Sequence, residues 1–150
     1  MKIQIPEYIQ VLIDLLNQNH YNAYVVGGAI RNALLGLPIH DYDLTTDATP
    51  DEMLQVFSSY RLFKTGIQHG TITVLSDGHP VEITTFRSEN TYEDHRHPST
   101  VSFSNNIEED CKRRDFTINA LCYNKSEGLI DFFGGIEDLQ HQIIRCIGNP

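Results

Sequence analysis

Apolar residues first recur at helical spacing between Glu7 and Asn19. There Ile9, Leu12, Ile13 and Leu16 form one stripe, and Gln10, Asp14 and Gln18 lie mostly opposite. The spacing predicts an amphipathic helix. Ala23-Tyr24-Val25-Val26 then reads as a short apolar strand, stopped by Gly27-Gly28. Ala29 to Leu35 favours helix, with Gly36 as its C-cap and Pro38 just beyond. Tyr42 and Leu44 alternate with Asp41 and Asp43, the pattern of a half-buried strand. Thr49-Pro50-Asp51-Glu52 combines a cap, a first-turn proline and a capping-box acid, so a helix is expected to about Ser58.

Arg61 to Thr65 and Thr71 to Leu75 read as strands, and Asp77-Gly78 marks a tight turn that returns the chain as Pro80 to Phe86. Residues 88 to 106 are polar and aperiodic; this is the longest loop, expected to be mobile. Ile107 to about Arg114 is helical, with Glu108, Glu109 and Asp110 near the helix's positive end. Leu121 to Tyr123 and Leu129 to Phe132 form a hairpin, Gly134-Gly135 opens a short helix through about Gln140, and Ile143 to Ile147 is expected as a last strand. There is no internal repeat and no low-complexity tract. Strands alternating with helices and hairpins predict a mixed α/β sheet with helices packed against it.

The length of 150 residues suits one domain. With 40% hydrophobic and 21% charged residues, the composition is that of a globular fold and not of a disordered chain. Eleven basic against 20 acidic residues give a net charge of −9. That excludes nucleic-acid binding by bulk positive charge, though not a local basic site. The 3 cysteines, Cys111, Cys122 and Cys146, form no CxxC pair, which argues against a zinc knuckle or disulfide framework and fits a reducing cytosol. They read as core or near-core thiols, with Cys111 the one placed for exposure. No apolar run approaches the ~18 residues of a membrane span. The N-terminus lacks the apolar core of a signal peptide.

Four features carry candidate chemistry. Gly27-Gly28 lies between a strand and a helix, where backbone N–H groups can approach a phosphate; a plain strand-to-helix turn needs the same residues. Asp41 and Asp43, two apart on an expected strand, place two carboxylates on one side. Such a pair suits magnesium, which takes a few carboxylates and fills its shell with water and phosphate; two solvated aspartates fit the pattern equally. Glu82 stands between Val81 and Ile83, as a functional acid or as ordinary alternation. Lys112-Arg113-Arg114-Asp115 is the only dense basic cluster, either a solvated helix end or a clamp for a triphosphate.

In order, these features resemble the polymerase-β-like nucleotidyltransferases. Val26-Gly27-Gly28-Ala29-Ile30-Arg31, Leu34-Leu35-Gly36 and Asp41-Tyr42-Asp43-Leu44-Thr45-Thr46 are similar to the first motif of the class II CCA-adding enzymes and bacterial poly(A) polymerases. Glu82-Ile83-Thr84-Thr85-Phe86-Arg87 resembles their next shared segment. The second motif is matched by Glu108 to Ala120 and the third by Asp131 to Leu139, so the resemblance covers residues 20 to 148.

The resemblance implies a polymerase-β-like head domain over 1–150, with a mixed, mostly antiparallel sheet and flanking helices. It implies magnesium-dependent transfer of CMP or AMP from CTP or ATP to the 3′-hydroxyl of tRNA, in the cytoplasm and away from membranes. Asp41 and Asp43 would hold two magnesium ions, with Glu82 as third acid. Gly27, Gly28 and Arg31 would bind phosphate. Arg114 would approach the triphosphate or sugar, with Asp115 fixing its fork. The family usually has Asp after that arginine, whereas Asn32 stands here, which removes a charge. Family members continue into a neck bearing a Glu-Asp-x-x-Arg base-reading motif, then body and tail domains. The chain is expected to be the head alone. Poly(A) polymerase and enzymes adding only A or only C remain alternatives within the family. A non-catalytic nucleotide-binding module is the alternative from another class, against which the carboxylate pair argues. A structural RNA-binding domain is disfavoured by the −9 charge. His95 and His97 read as solvated loop residues near the family's variable segment.

Overall fold

Ile9, Leu12, Ile13 and Leu16 are buried to 1% exposure or less, so the first apolar stripe is the packed face of helix α1, Glu7–Gln18. The computed structural model describes residues 3–88 and 102–147. After α1 come β1 (Ala23–Val26), α2 (Gly28–Leu35), β2 (Asp43–Thr46), α3 (Pro50–Val56), β3 (Arg61–Phe63), β4 (Thr71–Ser76) and β5 (His79–Thr85). The second half holds β6 (Arg87–Ser88), β7 (Ser102–Phe103), α4 (Ile107–Lys112), β8 (Leu121–Asn124), β9 (Gly128–Asp131) and α5 (Gly135–Gln140). Single 3-10 turns lie at Ile67–His69 and Thr117–Asn119.

Seven strands form one sheet in the order β3-β4-β5-β2-β1-β8-β9. The β2–β5 seam is parallel and every other neighbouring pair is antiparallel, giving the mixed, mostly antiparallel sheet expected. Alternation along β1 divides the core. Ala23 and Val25 join Leu44, Ile72, Val74, Val81 and Ile83 beneath α1, α2 and α3. Tyr24 and Val26 join Phe86, Cys111, Ala120 and Cys122 on the other face, where α4 lies. Asp43 pairs with Val26 across one seam and with Glu82 across the other, so both acids belong to the α4 face.

Local signals act as expected at the turns. Thr49 and Glu52 make both bonds of the capping box, at 3.3 and 2.9 Å, with Pro50 in the first turn. Asp77 and Gly78 both have positive φ, 50° and 78°, the twist that a two-residue hairpin needs.

Several expectations are corrected. β2 begins at Asp43, so Asp41 precedes the strand. The ladder ends there because its β1 partner, Val26, is followed at once by the turn at Gly27. The strand from Arg61 ends at Phe63, and α4 stops at Lys112, with Arg113 as its C-cap. The segment Ile143 to Ile147 is not a strand but a single bridge between Phe116 and Cys146, leaving Ile144 70% exposed. It is held by Thr117 N–H donating to Arg145 O and Ile147 N–H donating to Asp115 O, so its partner is the turn after α4 and not a strand of the sheet. Cys111 is fully buried beside Cys122, their sulfurs 3.1 Å apart, whereas Cys146 is exposed. The ends of the long polar segment pair as the β6–β7 ribbon. Its centre, 89–101, with His95 and His97, lies outside the described residues.

Candidate active site

Val26 leads into Gly27, whose φ of 75° and ψ of −137° are open to glycine and costly for any residue with a Cβ. The turn aims the start of α2 across the end of β2. Helical geometry leaves the N–H groups of Gly28 and Ala29 without intrahelical acceptors. They sit at the positive end of the helix dipole, a suitable seat for an anion.

Arg31, one turn into α2, folds back over this end. Its guanidinium donates to Asn119 Oδ1 at 2.8 Å and to Asn32 Oδ1 at 3.3 Å. A Cβ on Gly28 would come within 3.2 Å of the Arg31 guanidinium, and one on Gly27 within 3.9 Å of Arg114 Nη1. Two guanidinium groups therefore flank the glycine turn. Asn32 keeps a hydrogen bond to Arg31 and donates to Pro38 O.

Asp43 and Glu82 are paired residues across the parallel seam, both open to solvent. The Asp43 carboxyl is pushed above its ordinary pKa, first by desolvation, then by repulsion from Glu82. Arg114 pulls it down and Asp41 pushes it further up, so all three acids and Arg114 share one electrostatic neighbourhood. The i, i+2 strand argument thus places Asp41 wrongly in structure, yet Asp41 still acts on Asp43.

Among the described residues no three His, Cys, Asp or Glu side chains converge into a closed metal cage. The donor set nevertheless fits a hard cation such as Mg2+. It offers adjacent, mutually repelling carboxylates at the surface, and Mg2+ needs only one or two of these with water and phosphate.

Asp115 does not hold the Arg114 fork. Its carboxylate is exposed and accepts from Phe116 N–H at 2.7 Å and Asn119 Nδ2 at 3.3 Å, thereby supporting the residue that binds Arg31. The fork is held by Asp110, fully buried, whose Oδ2 accepts from Arg114 Nη2 at 3.2 Å. Sequence reasoning missed Asp110 and Asn119. The signal for Asp110 was its place three and four residues before Arg113 and Arg114, the spacing of helical ion pairs.

The chain matches the family model described as the poly(A) polymerase head domain over residues 23–145. It belongs to that head-domain family. The match runs from β1 to just past α5 and contains every site residue named above. Among relatives, the CCA-adding enzyme of Ligilactobacillus salivarius is 48% identical over 139 residues, covering 93% of this chain and 34% of the relative. That of Enterococcus faecalis is 50% identical over 139 residues, with the same two coverages of 93% and 34%. The crystal structure of the Bacillus stearothermophilus CCA-adding enzyme in complex with CTP superposes with a TM-score of 0.83 at 39% identity, over 97% of this chain and 34% of that one. The chain thus spans about one third of the length of these relatives. The polymerase-β-like head expected from the motifs is the fold observed.

Proposed function

We propose that this head domain transfers CMP and AMP from CTP and ATP to the 3′-hydroxyl of tRNA, releasing pyrophosphate, as part of CCA addition or repair. The observation that carries this reading is the pairing of Asp43 with Glu82 beside a glycine turn flanked by Arg31 and Arg114. Acids stand on one side for a metal and cations on the other for a triphosphate. The names of the relatives favour CCA addition over poly(A) synthesis, although the family model carries the poly(A) polymerase name.

In this mechanism the tRNA 3′-oxygen attacks the α-phosphorus in line with the departing pyrophosphate. The new O–P bond forms as the bond to the β-phosphate bridge breaks. Asp41 and Asp43, with Glu82, would hold Mg2+, which supplies the positive charge that eases loss of the hydroxyl proton and steadies the leaving group. The N–H groups of Gly28 and Ala29 donate to the β- and γ-phosphates. Gly27 lets the phosphate approach the backbone closely. Arg31 and Arg114 add charge-assisted bonds, and Asn119 with Asp115 keeps Arg31 in place. The protein's contribution is positioning and electrostatics.

We place the protein in the cytoplasm, away from membranes; among the described residues no helix is long and apolar enough to cross one. Base choice and most of the grip on tRNA are assigned to neck, body and tail domains of the kind the family carries. A transfer assay with labelled CTP, Mg2+ and tRNA lacking its CCA end, run on the head joined to such neck, body and tail domains, tests the function. Asp41→Ala and Asp43→Ala should each lower incorporation by about two orders of magnitude or more while the protein still folds and melts cooperatively. Normal incorporation by either variant would defeat the reading.

A further inference from the structure

Asp110 is a carboxylate with no solvent exposure, a placement that is costly unless its lone pairs are satisfied. Four donors lie within hydrogen-bond distance of it. Oδ1 takes Arg87 N–H at 3.0 Å and Arg113 Nε at 3.2 Å. Oδ2 takes Arg114 Nη2 at 3.2 Å and lies 3.3 Å from Thr45 Oγ1, whose single proton is shared with Thr84 O at 3.1 Å. The donors come from different elements. Thr45 is on β2, two residues beyond Asp43 and on the same face; Arg87 opens β6; Arg113 and Arg114 follow α4. One buried carboxylate therefore joins the strand that carries Asp43 to the turn that carries Arg114.

Arg114 is divided between two tasks. Its Nη2 is bound to Asp110, while Nη1 points at the Gly27 turn, 3.9 Å from where a Cβ would stand. Its Nε is buried without a partner among the described residues. The charges do not balance locally. Arg87 lies near enough to Arg113 and Arg114 for their repulsion to add to burial in lowering its pKa, and Asp110 is the carboxylate that opposes this. Positive potential is left over, and Asp110 decides in which direction Arg114 presents it.

We propose that Asp110 is a positioning residue for the triphosphate: by anchoring one nitrogen of Arg114 it turns the other toward the phosphate seat at Gly27–Gly28. The inference rests on the nucleotidyl-transfer reading above. It assigns Asp110 no contact with substrate. Its neighbours explain why an acid is required there. A neutral side chain would leave three guanidinium groups facing one another and free Arg114 to swing into solvent.

The experiment is a double-mutant cycle on steady-state CTP kinetics with Mg2+ and tRNA, in the head joined to neck, body and tail domains of the family's kind. Asp110→Asn keeps the shape and removes the charge. It should raise KM for CTP about tenfold, leave kcat at saturating CTP within about twofold, and have an effect below about twofold in an Arg114→Ala background. A KM unchanged in Asp110→Asn, or a loss equally large with Arg114 absent, overturns the proposal. Arg114→Lys supplies a check that does not require Asp110→Asn to fold. An ammonium cannot reach both Asp110 and the phosphate seat, so KM should rise nearly as far as in Arg114→Ala. A lysine variant within about twofold of wild type means that charge alone suffices, and overturns it. A wild-type protein without transfer activity, indifferent to Asp43→Ala, would instead defeat the functional reading and this inference with it.

Discussion

Asp43 and Glu82 face each other across the one parallel seam of the sheet. Desolvation, and after it the repulsion of Glu82, holds the Asp43 carboxyl above its ordinary pKa.

The sign of that shift predicts a trade between stability and function. A carboxyl whose folded pKa is raised binds its proton more tightly in the native state, so its ionisation destabilises the fold above that pKa. Asp43→Asn should therefore raise the metal-free melting temperature at pH 7. The gain should shrink as pH falls and vanish below the ordinary carboxyl value of 3.8, where the native and unfolded forms are both protonated. Exposure of the side chain screens the effect and keeps it small. Thermal melts with chelator across this range check it; a lower melting temperature at pH 7 contradicts it.

Arg114→Ala should weaken CTP affinity by more than Arg113→Ala. Both donate to Asp110, but Arg114 also presents Nη1 at the glycine turn. Loss of a charge-assisted phosphate contact costs about 1.5–3 kcal/mol. Calorimetric titration of both variants with CTP decides, and equal losses would remove the distinction.

Asn32→Asp restores the acid that the family usually has. It would convert the 3.3 Å contact with Arg31 into an ion pair at a partly exposed site, worth at most about 1 kcal/mol. Stability should rise slightly and transfer should stay within about twofold of wild type. A large gain in kcat would show that Asn32 limits catalysis.

Gly135→Ala should destabilise the head by about 1–3 kcal/mol. A Cβ there collides with Thr117 O, so α5 must move away from the 3-10 turn that holds Asn119. Urea denaturation gives the stability. Because Asn119 binds Arg31, CTP affinity should fall as well.

Much of this was legible from the chain alone because the deciding interactions are local. The stripe from Ile9 to Leu16, the capping box at Thr49 and the Asp77-Gly78 turn each depend on residues within a turn or two of one another. Gly27, Gly28 and Arg31 likewise share one helix start. What escaped was set by tertiary partners. Asp41 loses its strand because β1 turns away at Gly27, which no feature of residues 41–46 reveals. Ile143 and Ile144 have the spacing and residue type of a strand, yet the segment bridges to Phe116 in the turn after α4 and not to the sheet. Asp110 read as a helix-dipole acid because its four donors come from both its own helix end and two distant strands. Cys111 looked exposed beside charged neighbours, but its side chain faces Cys122 across the second core.

The parallel seam also bears on how the head folds. β2 and β5 are separated by residues 47–78, which contain α3, β3 and β4. Antiparallel neighbours can close through a short turn, but this pair meets only after that whole excursion has been laid down, at the entropic cost of a long loop closure. Asp43 and Glu82 are therefore remote from each other in any partly folded chain whose sheet has not yet zipped through its centre. On the proposed function, divalent-cation affinity would be a readout of completed folding, and a half-folded head would have no half-strength site with which to sequester metal or nucleotide.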